Sequence, residues 1–218
     1  MPGKSVKAAV AVVLAAGALA GCGGSPKVGT AALVGDDRIT TNELTRTVRD
    51  QEAQFKADPV AKNLLGNQQI RVPRFVPDDE YGVRGSLMML INLRVVDEAA
   101  KQAGVDVTGG QVDSMVEALN RGGGAGSITL LNALPRERTR DFARFLITQP
   151  AVMQRLGADL ENPLSPATQQ AGQRWTELLR HTAEDMDIEV NPRYGTYDPG
   201  KVEVGPITYR LSSPDSGI

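Results

Sequence analysis

Cysteine, histidine, aromatic residues and long apolar runs are all scarce in this chain, and each scarcity removes a class of protein. Among 218 residues there is one cysteine, Cys22, so no intrachain disulfide can form and stability must come from a packed core. There is one histidine, His181, which is too few for a histidine-rich metal centre. Aromatic residues make up 4% of the chain, while Ala, Leu and Val are plentiful. A core of that composition predicts helices rather than a β-sandwich. No large excess of positive charge is present. The formal charge is −2 with both signs interspersed, so the basic face that nucleic-acid binding usually needs is missing. No apolar run reaches the roughly 20 residues of a spanning helix.

Cys22 carries the most information. It ends Leu19-Ala20-Gly21-Cys22, behind the apolar stretch from Ala8 to Leu19 and the basic residues Lys4 and Lys7. A positive start, an apolar middle and small residues at the cut are the parts of a secretory signal. The pattern resembles the lipobox of bacterial lipoproteins. That resemblance implies cleavage before Cys22, covalent diacylglycerol on its thiol, and a location on the extracytoplasmic face of a cell membrane. Three other readings compete. An uncleaved spanning helix is too short here, because Gly21-Cys22-Gly23-Gly24 interrupts the apolar run. An ordinary secretory signal would leave a reactive thiol in an oxidising compartment. A metal or catalytic thiol does not belong in a flexible leader.

Residues 1–21 are therefore expected to be a signal peptide and residues 22–30 a lipidated tether, with Ser25 to Thr30 as its polar spacer. Each buried methylene contributes about 0.8 kcal/mol, and two acyl chains hold where one is marginal. Cleavage removes two of the 24 basic groups and none of the 26 acidic ones, shifting the formal charge from −2 to −4. The remaining 197 residues suffice for one large or two small domains.

Ala31-Ala32-Leu33-Val34, the turn Gly35-Asp36-Asp37 and Arg38-Ile39-Thr40 predict a short hairpin. Thr40 and Glu43 have the spacing of a capping box for a helix over 41–57. Residues 58–84 contain Pro59, Pro73 and Pro77, and read as a long irregular excursion with one helical turn near Val60 to Leu65. Gly85 to Ala103 is apolar nearly all round, which predicts a central core helix ended by Gly104. Thr108 and Gln111 form a second capping-box pattern ahead of Val112, Met115, Val116 and Leu119. Gly122 to Ser127 reads as a flexible break. Pro135 starts a helix with Phe142, Phe145 and Leu146 on one side, and Pro150 starts a short one ending at Gly157. Ser165-Pro166 opens a helix to about Asp187, followed by a strand at Ile188-Glu189-Val190 that Asn191-Pro192 breaks. Residues 199–218 read as a loose tail, in which Pro206 weakens an edge strand through Val202, Val204, Ile207 and Tyr209.

The opening Ala31 to Leu44 resembles that of SurA N-terminal domains: a strand, a turn, then Ile-Thr, an acidic residue and leucine. The helix carrying Leu90-Ile91 and Ala99-Ala100, with its exit Gly104-Val105-Asp106-Val107-Thr108 and the following Gln111-Val112, is similar to the family's central helix. Asn191-Pro192-Arg193-Tyr194-Gly195 resembles the ending of lipoproteins of that family. The resemblance covers about two thirds of the chain after Cys22. It implies a mainly α body over 31–198, a SurA N-terminal-like domain whose strands at about 31–40 and 188–190 pair. It also implies a peptide-binding, chaperone-like role. Relatives often insert a parvulin-type prolyl isomerase domain of about 100 residues before the last helix. The last helix here begins at Ser165, close behind Gly157, so that domain has no room.

Other candidate chemistry is thin. His181 and Asp185 share a helix face but lack a third ligand. Asp78-Asp79-Glu80 is an acidic loop sequence short of a calcium site's six or more oxygens. The glycine run lacks the Lys-Ser/Thr of a phosphate loop, and no Gly-x-Ser-x-Gly elbow is present. Met88 and Met89 read as core, with client contact as the alternative. The expected function is that of a lipid-anchored, ATP-independent, chaperone-like protein. It would bind unfolded or extended exported polypeptides, without isomerase activity, nucleic acid or a cofactor beyond the lipid. An adaptor lipoprotein holding one folded envelope partner is the alternative. A hydrolase would need a site that the sequence does not display.

Overall fold

The computed structural model describes residues 28–67 and 82–207, so Cys22, the signal segment, Asp78-Asp79-Glu80 and Tyr209 lie outside the described residues. The protein is mainly helical with small antiparallel sheets. β1 (Thr30–Val34) turns through Gly35 into β2 (Asp37–Thr40), pairing Val34 with Asp37 and Thr30 with Thr40. β3 (Glu189–Val190) pairs with the other edge of β1, Leu33 opposite Glu189, giving the order β2-β1-β3. The first and last segments of the helical body therefore meet in one sheet, and Asn191 extends the join. Its amide N–H donates to the Ala31 carbonyl at 2.9 Å, and its side chain donates to the Thr30 carbonyl at 3.0 Å.

Seven α-helices lie among the described residues. α1 (Thr41–Ala57) starts where Thr40 Oγ1 accepts the Glu43 amide at 3.0 Å. Only half of the expected capping box forms. The Glu43 carboxylate turns away to the guanidinium of Arg138, 2.9 Å away, because a charged partner outcompetes a neutral amide. The expected irregular excursion is helical at its start: α2 (Pro59–Gly66) comes after α1 with a single residue between them. α3 (Val83–Gln102) is the central helix, buried from Gly85 through Ile91 and again at Val95, Val96, Ala99 and Ala100. It packs against α1 and β1, and against helices and a strand from later in the chain. Gly104 lies just beyond it at φ +66°, and the Val105 amide closes back on the Ala100 carbonyl at 2.8 Å. α4 (Gly109–Arg121) carries the full Thr108–Gln111 capping box.

Past Gly124 the expected flexible break gives way to a buried helix, α5 (Ala125–Leu130), and Ser127 through Pro135 are all buried. A 3-10 turn at Arg136–Arg138 then leads into α6 (Thr139–Arg155). Pro150 lies inside α6 and does not open a new helix. Its fixed φ suits helical backbone, and the interior-proline cost of about 3 kcal/mol is met by packing. Phe142, Ala143, Thr148 and Val152 are all buried on either side of it. α7 (Pro166–Asp185) begins with Ser165 Oγ accepting the Thr168 amide at 3.1 Å. A smaller cluster around Trp175 joins α3, α6 and α7 through Val96, Ala99 and Val152.

Between Asn191 and Ile207 the chain is not loose, and residues 208–218 of the expected tail lie outside the described residues. β4 (Thr196–Asp198) and β5 (Glu203–Gly205) form an antiparallel hairpin that packs on α3 through buried Val204. Gly195 is required there: it has φ +135°, and a Cβ would collide with the Gly205 carbonyl. Of the residues expected on an edge strand, Val204 lies in β5, while Ile207 is exposed beyond it. Met88 and Met89 are both core.

Deleting residues 188–198 removes β3 and half of the terminal hairpin, so the thermal midpoint should fall by several degrees. An unchanged midpoint would mean that the β1–β3 join contributes nothing to stability. Gln51→Leu should cost about 1 kcal/mol by removing the side-chain donor of the buried Leu130 carbonyl, which keeps the Ala133 amide. Chemical denaturation of the variant measures that loss.

Candidate functional site

One carboxylate sets the bend between α1 and α2. Asp58 precedes Pro59, which disfavours helical backbone at Asp58 and so ends α1. Asp58 is extended, at φ −103° and ψ 102°, and caps the next helix. Its Oδ1 accepts the Val60 and Ala61 amides at 2.9 and 3.1 Å. Its Oδ2 accepts the Ser127 hydroxyl and the Arg136 guanidinium, both at 2.7 Å. The Asp58 side chain is 3% exposed, whereas that of Arg136 is half-exposed. Burial alone would raise the carboxyl's pKa. The bonds from Ser127, Arg136, Ala61 and Val60 outweigh it and hold the group below the ordinary aspartate value.

In the crook of that bend lies a cleft of about 330 Å³, lined by Gln51, Glu52, Phe55 and Lys56 of α1, Leu65 of α2, and Gly82 just ahead of α3. Phe55 and Leu65 are half-buried and pack against the main core with one side free. Gln51 forms part of the lining while its Nε2 donates to the Leu130 carbonyl at 2.9 Å. Glu52 and Lys56, one turn apart, put opposite charges on the rim. Among the described residues, the cleft's walls are thus mostly carbon, with charge at the edge. Leu65 and Gly82 of its lining both fall within residues 58–84, the segment read from sequence as the excursion.

A second cavity, of about 300 Å³, is built differently. It lies between α3 and α6 beside β2, with Leu93 and Phe145 as apolar lining and charged groups around them. Arg138 joins Glu43 at 2.9 Å and Asp141 at 3.1 Å. Arg94 reaches Glu43 at 3.6 Å and Asp37 at 3.8 Å. Arg144 donates to the Val107 carbonyl at 2.8 Å. Asp97 faces this cavity with its carboxyl above the ordinary value. Partial burial is the main cause and Asp141 adds to it, against the pull of Arg144 and Lys101.

The sequence-derived candidates scatter. His181 lies 3.8 Å from Glu177, 3.6 Å from Glu184 and 3.1 Å from Arg180, and the expected pairing with Asp185 is not made. No group of three or more metal-ligating side chains is present among the described residues. The Ser127 hydroxyl is engaged by Asp58. Among the described residues, no helix is long and apolar enough to cross a membrane. Sequence reading missed the role of Asp58, although Asp58-Pro59 is the same signal as Ser165-Pro166, a capping side chain ahead of a first-turn proline. The charged cavity had no local signal, because its residues come from β2, α3 and α6. Comparison of the chain with protein-family models, curated proteins and solved structures finds no match in any of the three.

Asp58→Asn should cost about 1–2 kcal/mol at pH 7, chiefly through weakened bonds to Ser127 and the two amides, since half-exposed Arg136 adds little. A carboxyl with a lowered folded pKa stabilises fully above its unfolded value, here 3.8, and stops doing so as pH falls through the folded value. The gap in melting temperature between wild type and Asp58→Asn should therefore be constant near neutrality and close below about pH 4. A gap that persists at pH 2 would contradict this.

Proposed function

We propose that this chain is a lipid-anchored, ATP-independent, chaperone-like protein. Its SurA N-terminal-like helical body binds unfolded or extended exported polypeptides at the extracytoplasmic face of a membrane, without prolyl isomerase activity. Anchoring rests on the lipobox-like Leu19-Ala20-Gly21-Cys22, with diacylglycerol on Cys22 and residues 22–30 as a tether, on the order of 30 Å when extended. The binding role rests above all on the cleft between α1 and α2. Its carbon walls at Phe55 and Leu65 suit an apolar side chain, and its charged rim at Glu52 and Lys56 keeps it wetted when empty. At about 330 Å³ it is at the small end of ligand pockets, which run to about 1,000 Å³. It therefore suits one or two side chains of an extended segment rather than a folded surface. Binding of that kind is weak and sequence-tolerant, as a holdase requires. The closure of the body by β1 and β3 agrees with the arrangement that the SurA resemblance implies.

One observation favours the adaptor reading instead. Leu160 and Leu164, in the connection between α6 and α7, are exposed, Leu164 to 83%. Two leucines on a short loop fit a shallow socket on one folded partner better than a range of unfolded chains.

The test is aggregation suppression by the full-length chain against several unrelated unfolded clients, beside a proline-isomerisation assay. Broad suppression without isomerisation is expected. Phe55→Ser and Leu65→Ser should each weaken suppression several-fold while the helical circular dichroism stays, and Leu164→Ser should leave it unchanged. Loss of a single stable partner with Leu164→Ser, with no client protection by wild type, would establish the adaptor in its place.

A further inference from the structure

The cavity between α3 and α6 contains two charges of opposite sign that the protein does not pair. Its other charged groups are matched: Arg138 with Glu43 and Asp141, and Arg94 with Glu43 and Asp37. Arg144 bonds only the Val107 carbonyl, and among the described residues no carboxylate lies within 4.0 Å of it. Asp97 has no hydrogen bond and no cation within 4.0 Å among the described residues. Arg144 and Asp97 are close enough to attract, yet too far apart for an ion pair. Each therefore has hydrogen-bonding capacity left on the cavity side, an acceptor on α3 and donors on α6. Leu93 and Phe145 supply apolar surface in the same lining.

We propose that this cavity binds a small zwitterion, an α-amino acid with an apolar side chain, whose ammonium meets Asp97 and whose carboxylate meets Arg144.

The pattern of charge selects against simpler ligands. A plain anion would gain Arg144 but face Asp97, Asp141 and Asp37. A plain cation would gain Asp97 but face Arg144, Arg138 and Arg94. Only a ligand bearing both signs a few ångströms apart satisfies both unpaired groups and adds no net charge to a lining already balanced at three arginines against three aspartates. Partial burial holds the carboxyl of Asp97 above its ordinary range, and a bound ammonium would favour its charged form. The volume, about 300 Å³, holds an amino acid with its side chain against Leu93 and Phe145.

Isothermal titration of the full-length chain with leucine, N-acetyl-leucine and leucinamide tests this. N-acetyl-leucine lacks the positive charge and leucinamide the negative one. Leucine should bind at least tenfold more tightly than either. Asp97→Asn should erase the preference over N-acetyl-leucine and keep that over leucinamide, and Arg144→Gln should do the reverse. Asp97→Asn breaks no bond in the structure, so it remains informative should loss of the Arg144–Val107 contact unfold the other variant. Equal binding of all three compounds, no binding of leucine at millimolar concentration, or a preference untouched by Asp97→Asn would each overturn the proposal. The cleft between α1 and α2 shares no residue with this cavity, so neither result bears on client binding.

Discussion

Nine consecutive residues, Ser127 to Pro135, run through the middle of this protein without reaching its surface. Buried backbone must find hydrogen-bond partners, and a segment that is only partly helical cannot supply them all itself. The surrounding helices do so. Gln51 of α1 serves the Leu130 carbonyl, and Ser86 of α3 serves the Ala133 carbonyl at 2.8 Å. Within the segment, Thr129 and Asn132 bond the Ala125 and Ile128 carbonyls. At its entrance Ser127 joins Asp58. These bonds fix where α1, α2 and α3 stand relative to one another. The apolar residues interspersed with them, Ile128, Leu130, Leu131 and Leu134, fill the space between those helices.

The cleft is a consequence of that arrangement. Gln51 cannot leave the cleft's lining without taking its side-chain bond from the buried Leu130 carbonyl, and α2 cannot swing away without breaking the Asp58 cap and its link to Ser127. Phe55 of α1 and Leu65 of α2 therefore line one cleft at a bend that those bonds fix. The polar bonds beneath the cleft oppose a collapse that would bury more carbon. That resistance is what a reusable apolar site needs, because a site that must reopen for each ligand loses affinity in proportion.

Much of the fold was legible because its signals are local. Thr40, Thr108 and Ser165 each announce a helix through a side chain that takes an orphan amide, and all three helices start there. Gly104 ends α3 for an equally local reason. The errors fall where distant contacts override local signals. Gly122-Gly123-Gly124 does break the chain, but burial against α1 and α3 orders the segment from Ala125 to Pro135. Pro150 reads as a start and is tolerated inside α6, because Phe142 and Val152 are anchored on either side. Val202 and Val204 looked too weak beside Pro206, yet α3 gives Val204 a surface to cover. The functional surfaces were the least legible. Cleft and charged cavity each draw on three separate segments, and no spacing rule joins Phe55 to Leu65 and Gly82, or Asp97 to Arg144.

Geometry also relates the two cavities to the proposed anchor. The Thr41 amide bonds the Gly29 carbonyl at 2.9 Å, so the chain arriving from Cys22 joins the body at the start of α1. Glu43, which holds two arginines of the charged cavity's wall, is in the first turn of the same helix, and Phe55 is near its end. Twelve residues of α-helix separate them by about 18 Å. Were the segment ahead of β1 to tether the protein as proposed, the charged cavity would lie close to the attachment point and the apolar cleft at the far end of α1, so that only the first would stand beside whatever the tether holds.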